Sequence, residues 1–370
     1  MSGPLAGVKI VEFAGIGPAP FCGMLLGDMG ADVVRIDRRE ESDLGVKTPP
    51  EMELLNRNKR SIALDLKSHA DLEIARRLIA QADAVIEGFR PGVVERLGVG
   101  PDDCLKLNPQ LVYGRMTGWG QDGPLAQAAG HDLNYIALVG ALNCVGPADR
   151  PPPPPLNLIG DFGGGALYLA MGVLAAILSA RTTGRGQVVD AAMIDGVASL
   201  MTIFHAFRHA GLWSLERSAN VVDGGAPFYR VYETADGKYV SLAAIERKFF
   251  ATFLARVGLD ELLERQNDKA RWPQMHAQFE ALFRTRTRDQ WCELLEGSDA
   301  CFAPVLDLDE AQAHPHNATR GVYQTQAGLS QPAPAPRFGR TPGGLRRTPP
   351  RPGQDTDEIL RDWAVAPTKQ

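Results

Sequence analysis

Cysteine is sparse and unpaired in this chain. The five cysteines, Cys22, Cys104, Cys144, Cys292 and Cys301, are odd in number, widely spread and include no CxxC pair. Neither a disulfide framework nor a zinc site is indicated, and a reducing, cytoplasmic setting fits best. Excess positive charge is also missing: the net charge is −5 and the pI about 5.9, which leaves no general basic face for a nucleic-acid backbone. The opening MSGPLAGVKIVEF lacks the basic start and long apolar run of a secretory signal and reads instead as a first strand. The closing APTKQ is not a Ser-Lys-Leu peroxisomal address, which bears on that one signal only. No histidines have metal-ligand spacing; His205 and His209 stand four apart without the glutamate of an HExxH motif. Long apolar runs are limited to residues 162–180, FGGGALYLAMGVLAAILSA, nineteen residues without a charge. That length meets the criterion for a membrane span. With Asp161 at its start, a glycine triplet inside it and no second span, it reads better as a helix buried on all sides in the core or at a subunit contact. RTTGRG (181–186) would end it through charge and glycine.

At 370 residues and 40.0 kDa the chain exceeds the roughly 250–300 residues that one core supports, so one large and one small domain are expected. The 22% charged and 44% hydrophobic composition is that of an ordinary globular protein. Residues 8–13 form a β-branched run, Gly15-Ile16-Gly17 turns the chain, residues 20–29 are helical in character, and 32–36 form a second apolar run. This strand–turn–helix–strand unit implies parallel strands. Runs at 61–66, 84–87 and 111–116 continue the alternation, with a helix across LEIARRLIAQ, so the first half reads as a doubly wound α/β sheet. From Gly224 the pattern changes to α+β: strand-like runs at 228–234 and 238–244 are joined by Ala235-Asp236-Gly237, a hairpin turn, followed by helices at 246–257 and 272–283 and a strand at 301–306. The expected divisions are a large α/β domain over 1–190, linker helices over 191–225, a small α+β domain over 226–325, and a tail over 326–370 that returns to the large domain and ends in a helix at 356–363. The prolines at 151–155 should form a stiff extended loop, and no internal repeat is evident.

The residues that suggest chemistry are His131 in GHDLNY and Asp161 in PLNLIGDFGGG. An imidazole and a carboxylate can give and take a proton near neutral pH, and flanking glycines let backbone amides approach a substrate oxygen. An isolated histidine is more often structural, and Asp161 also suits capping of the apolar helix it precedes. The polar knot of Gly130, His131, Asp132 and Asn134 beside a buried apolar run favours function for His131, and an acid facing an apolar helix start has a tunable pKa. Glu246 ends the hairpin, placed to cap the next helix or to orient His131, with capping the safer local reading. Gly15-x-Gly17-x-x-Pro20, with Asp37 about twenty residues beyond, tempts a dinucleotide reading, but the third glycine is missing. Arg38, Arg39 and the cations of NRNKRS (56–61) suit a phosphate-bearing ligand at the carboxyl ends of parallel strands, Arg38 above all; the bland alternative is solvated surface charge.

Together, GVKIVEFAGIGPAPFCGMLLGDMGADVVRIDR, NRNKRSIALDLK, YGRMTGWGQDGP, AGHDLNYIAL, PLNLIGDFGGG, TGRGQVVDAAMIDG, DGGAPFY and AIERKFF resemble the α-methylacyl-CoA racemases of the family III CoA-transferase superfamily, in order over about residues 4–310. The resemblance implies a homodimer of two interlocked chains, with the active site between the large domain of one and the small domain of the other. It also implies epimerisation of a 2-methylacyl thioester of coenzyme A, without metal or redox cofactor. By matching positions, His131 and Asp161 would be the catalytic pair, Asn157 and the Asp132 amide would lie near the thioester oxygen, and Glu246 would orient the histidine. Arg38, Leu64, Asp65, Leu66, Lys67 and the stretch from Gly130 to Tyr135 fall where the family contacts coenzyme A. The chain departs from the family at Arg247-Lys248, where Pro-Gln is usual, and at Arg39, where proline is more usual. The competing implication is a coenzyme A transferase in which Asp161 forms an acyl anhydride; a third is an idle coenzyme-A-binding protein.

Overall fold

Alternation of apolar residues between the two faces of a parallel sheet organises the larger part of the chain. The computed structural model describes residues 3–40, 45–46 and 48–365; the APTKQ terminus lies outside the described residues. By internal contacts the chain divides into two units, the first made of Met1–Val139, Pro155–Met201 and Gly321–Gln370, the second of Gly140–Pro154 and Thr202–Arg320.

The first unit holds a six-stranded parallel sheet of β1 (Lys9–Phe13), β2 (Asp32–Asp37), β3 (Lys59–Ala63), β4 (Ala84–Glu87), β5 (Val112–Thr117) and β6 (Gln187–Ala192), in the order β3-β2-β1-β4-β5-β6. Along β1, β2, β4 and β5, Ile10, Val33, Ala84, Ile86 and Val112 enter one core cluster, while Val11, Val34, Val85 and Tyr113 enter the other. Helices Pro18–Asp28 and Leu167–Thr183 cover the first face; His69–Ile79, Pro101–Leu107 and Thr356–Asp362 cover the second. Both faces are covered over β1, β2, β4 and β5, so these strands are rich in apolar residues rather than strictly alternating, as in parallel sheets. Strand order reverses between β1 and β4, and crevices for ligands open at the carboxyl ends of such strands.

The tail protects the β3 edge, which would otherwise present unpaired backbone groups. Asp355 Oδ2 accepts from the Ser61 N–H at 2.8 Å. The Asp355 N–H donates to the Ser61 carbonyl at 3.0 Å, and the Asn58 N–H to the Arg347 carbonyl at 3.0 Å. Trp363 is almost wholly buried and donates its indole N–H to Asp32 Oδ2 at 2.8 Å. A hairpin of β10 (Tyr323–Gln326) and β11 (Leu329–Pro332) precedes this strap.

The apolar run at 162–180 is helical over Leu167–Thr183, and Gly184, at φ 72°, closes it in the left-handed conformation that favours glycine. Among the described residues one helix, Leu158–Thr183 counted with its preceding turns, is long and apolar enough to cross a membrane by length and composition. It is not buried on all sides within this chain: Leu169, Val173 and Ile177 enter the core, whereas Leu167, Met171 and Leu178 are exposed.

The second unit is built on an antiparallel sheet of β7 (Tyr229–Glu233), β8 (Tyr239–Ala243) and β9 (Phe302–Val305). The β7–β8 turn uses Gly237 at φ 72°. Helices Arg247–Val257, Trp272–Phe283 and Arg288–Leu295 bring Phe250, Phe253, Phe279, Phe283 and Trp291 into an aromatic core with Phe228 and Tyr232. Residues 151–155 carry neither helix nor strand.

Candidate active site

The turn after β1 begins the site, at the point where strand order reverses. Gly17 takes φ 67° and precedes Pro18 at the start of the helix Pro18–Asp28. A Cβ on Gly17 would lie 3.1 Å from Asp161 Oδ2, so the bare backbone is what lets the carboxylate approach. The sequence marks Gly17 as part of the turn after the first strand and of a failed dinucleotide fingerprint; its close approach to Asp161 is a long-range contact that neither reading contains. The dinucleotide reading fails on geometry too. Asp37, which would hold a ribose, is buried and accepts from Arg35 Nε at 2.9 Å and from Ser61 Oγ at 2.5 Å.

Asp161 does not precede a helix as a cap. It lies inside a π-helical segment, Leu158–Ala166, that runs directly into Leu167–Thr183, and the N-cap position belongs to Asn157. The glycine triplet permits this wide turn to press on the helix Met193–Leu200: a Cβ on Gly164 would lie 2.6 Å from Val197 Cγ2. Single π turns inside helices are frequent at functional sites. Asp161 Oδ2 accepts from Asn157 Nδ2 at 3.1 Å, and its backbone N–H donates to Asp132 Oδ2 at 2.7 Å. Burial raises the Asp161 pKa above the usual carboxylate value; the Asn157 hydrogen bond opposes this, the Asp132 charge adds to it, and the His131 charge lowers it again.

His131 stands at the N-cap of the helix Asp132–Leu138, its backbone N–H donating to Asn134 Oδ1 at 3.0 Å. The residue is exposed, unlike a structural histidine held in the core. Its charge registers on Asp161, so the fold brings into electrostatic reach two groups thirty positions apart. Tyr135 anchors the loop before the helix: its hydroxyl donates to the Gly130 carbonyl, and its ring meets Trp119 edge-on with centroids 4.7 Å apart. A Cβ on Gly130 would lie 2.8 Å from that ring, which accounts for the glycine.

The coenzyme A candidates divide. Arg38 follows β2 and is exposed; Asp65 and Lys67 follow β3 and are exposed, so all three lie at the carboxyl edge of the sheet. Leu66 is half-buried, but the Leu64 side chain is buried in the second core cluster, leaving only its backbone for a ligand. The cations of NRNKRS are placed elsewhere than expected. Arg57 precedes β3 and Lys59 and Arg60 open it, at the amino end of the sheet, and each meets an internal acid: Arg57 with Asp28 at 2.6 Å, Lys59 with Glu12 at 2.7 Å, Arg60 with Asp32 at 2.5 Å. These ion pairs tie β3 to its neighbouring strands and to the covering helix. Arg39 reaches Asp71 at 2.9 Å.

Glu246, in the second unit, occupies the N-cap position of Arg247–Val257, yet its exposed carboxylate makes no capping hydrogen bond, contrary to the local expectation. Arg247 pairs with Glu264.

The CoA-transferase family III profile matches residues 5–356. An α-methylacyl-CoA racemase of Mus musculus is 43% identical over 365 residues, 98% of this chain and 94% of that protein. The Homo sapiens protein of the same name is 40% identical, with 98% and 94% covered. A crystal structure of a CAIB/BAIF family protein from Brucella suis superposes with a TM-score of 0.83 at 27% identity, covering 98% of this chain and all of that one. The parallel sheet, the site at its switch point and the near full-length match agree: this chain belongs to CoA-transferase family III.

Proposed function

We propose that this chain is an isomerase, a racemase that interconverts (R)- and (S)-2-methylacyl-CoA thioesters by 1,1-proton transfer through an enolate. A proton beside a thioester carbonyl is weakly acidic, so its removal needs a placed base and donors that strengthen as charge builds on the oxygen. Inversion needs a second group on the opposite face of the planar enolate. His131 serves one face and Asp161 the other, each as acid or base according to the hand of the substrate. The Asn157 amide and the Asp132 N–H are assigned to the thioester oxygen, where one such donor contributes roughly 2.7–4 kcal/mol. Arg38, the backbone at Leu64 with Asp65, Leu66 and Lys67, and the loop from Gly130 to Tyr135 are assigned to coenzyme A. Every step is assigned to the chain's own residues.

The observation that carries this reading is the Asp161 carboxyl itself: it sits against Gly17 at the switch point, its pKa is raised by burial, and His131 lies within reach of its charge. Raising a carboxylate's pKa makes it a stronger base toward a weakly acidic carbon proton. The exposed, uncapping Glu246 of a second copy is assigned to orient the imidazole, in a cytoplasmic homodimer that would cover the outward residues Leu167, Met171 and Leu178.

The second reading is a coenzyme A transferase with Asp161 as nucleophile, favoured by the family's own description and by the approachable carboxylate. Exposed His131 beside Asp161 favours the racemase, because transfer through an anhydride needs no base there. The test is to incubate one epimer of a 2-methylacyl-CoA in deuterated water. Deuterium at the α-carbon with loss of optical purity supports the racemase; acyl exchange onto a free carboxylic acid with retained configuration overturns it.

A further inference from the structure

We propose that the Asp132 side chain, as distinct from its backbone amide, is a positioning residue that ties the Asp161 backbone to the His131 helix and places its own carboxylate beside the Asp161 carboxyl. This rests on the racemase reading above. Asp132 follows His131 directly, so one residue links the two proton-transfer groups. Its side chain is buried, 5% exposed, and Oδ2 accepts the Asp161 N–H at 2.7 Å. The carboxylate lies flat on the peptide before Asp161: a Cβ on Gly160 would fall 2.5 Å from Oδ2 and 2.8 Å from Cγ. Its other oxygen, Oδ1, is buried and has no hydrogen-bond partner among the described residues. A buried carboxylate without full compensation is costly, and each such group in a native fold calls for a reason. A neutral amide could make the same bond to the Asp161 N–H, so the hydrogen bond alone does not explain the charge.

What the charge does follows from electrostatics. It makes ionisation of Asp161 harder, whereas His131 makes it easier. The other titratable groups on elements packed against this segment are turned elsewhere. Asp28 pairs with Arg57, Arg115 with Glu87, and Tyr168 donates to Ser199 at 2.7 Å. Cys22 lies in the core, Asp195 is exposed, and Asp190 is held by the Gln121 backbone. Tyr135 turns its hydroxyl to Gly130. Asp132 therefore adds to burial in making Asp161 hold its proton more tightly.

The experiment compares pH profiles of kcat/KM for the full chain and Asp132→Asn, with each epimer of a 2-methylacyl-CoA as substrate. In the direction in which Asp161 takes the proton, its acid limb should move to lower pH by about one unit. In the reverse direction, the alkaline limb should move down by the same amount. A purely structural role would lower the rate without moving either limb, and profiles that superimpose after scaling overturn the proposal. If Asp132→Asn does not fold, Asp132→Ser removes the same charge and gives the same readout. Absence of racemisation in the unaltered chain would instead reject the racemase reading, so the two failures are distinct.

Discussion

Replacing Lys59 with methionine separates a structural cation from a ligand-binding one. Lys59 is fully buried, its ammonium 2.7 Å from Glu12 Oε1 and 2.9 Å from the Pro20 carbonyl oxygen. Burial pushes the Glu12 pKa up and the Lys59 pKa down, and their mutual attraction opposes both shifts. Glu12 Oε2 has no hydrogen-bond partner among the described residues and is packed so closely on the covering helix that a Cβ on Gly23 would fall 1.7 Å from it. Lys59→Met leaves this carboxylate unpaired, and removing one partner of a buried pair costs about 3–5 kcal/mol. For a domain of this size each kcal/mol lowers Tm by about 2–4 °C, so a fall of about 6–20 °C is expected. Adding Glu12→Met should restore most of it, since an apolar pair of similar volume replaces a buried ion pair at little or no cost. Urea unfolding followed by circular dichroism measures the loss, and titration calorimetry with coenzyme A should show affinity unchanged in the folded variant. A loss below about 1 kcal/mol, the range of an exposed pair, would refute the reasoning. So would weakened coenzyme A binding at unaltered stability.

Trp363→Ala should cost about 3–5 kcal/mol in urea unfolding, because the indole is buried under the sheet and bonded to Asp32; a loss below about 1 kcal/mol would mean that the tail does not hold the β3 edge. Burial raises the Glu87 pKa from 4.5 to about 6, with the Phe89 N–H and Arg115 opposing. A folded-state pKa raised in this way favours the protonated form, so the stability it contributes is present below 4.5 and is lost as pH rises through about 6. Glu87→Gln should therefore flatten unfolding free energy against pH across that window, and an unaltered slope would contradict the assignment.

Much of the sheet was legible because both of its faces are buried: β1, β2, β4 and β5 carry β-branched and apolar clusters broken only by single charged residues, and they lie within a residue or so of the expected ranges. The sixth strand was not. Gln187–Ala192 is an edge strand, exposed or half-buried over its first four residues, and QVVDAA carries neither alternation nor a long apolar run. The candidacy of His131 and Asp161 could be read from residue type and glycine context, but not the π turn, because a glycine triplet after an acid reads locally as a loop that opens a helix. Arg57, Lys59 and Arg60 misled for a general reason: charged side chains are almost never fully buried unless paired, and pairing with Asp28, Glu12 and Asp32 is a long-range property that no local window contains. Glu246 illustrates the converse, an acid at a helix start that does not cap it.

The central claim is that two groups act on opposite faces of one carbon, and α-proton exchange with each pure epimer in the His131→Ala and Asp161→Ala variants tests it most directly. Both variants should lose racemisation, while each keeps deuterium exchange with one epimer and the two retain opposite hands. Racemisation persisting in either variant, or exchange retained with the same epimer in both, would contradict the account.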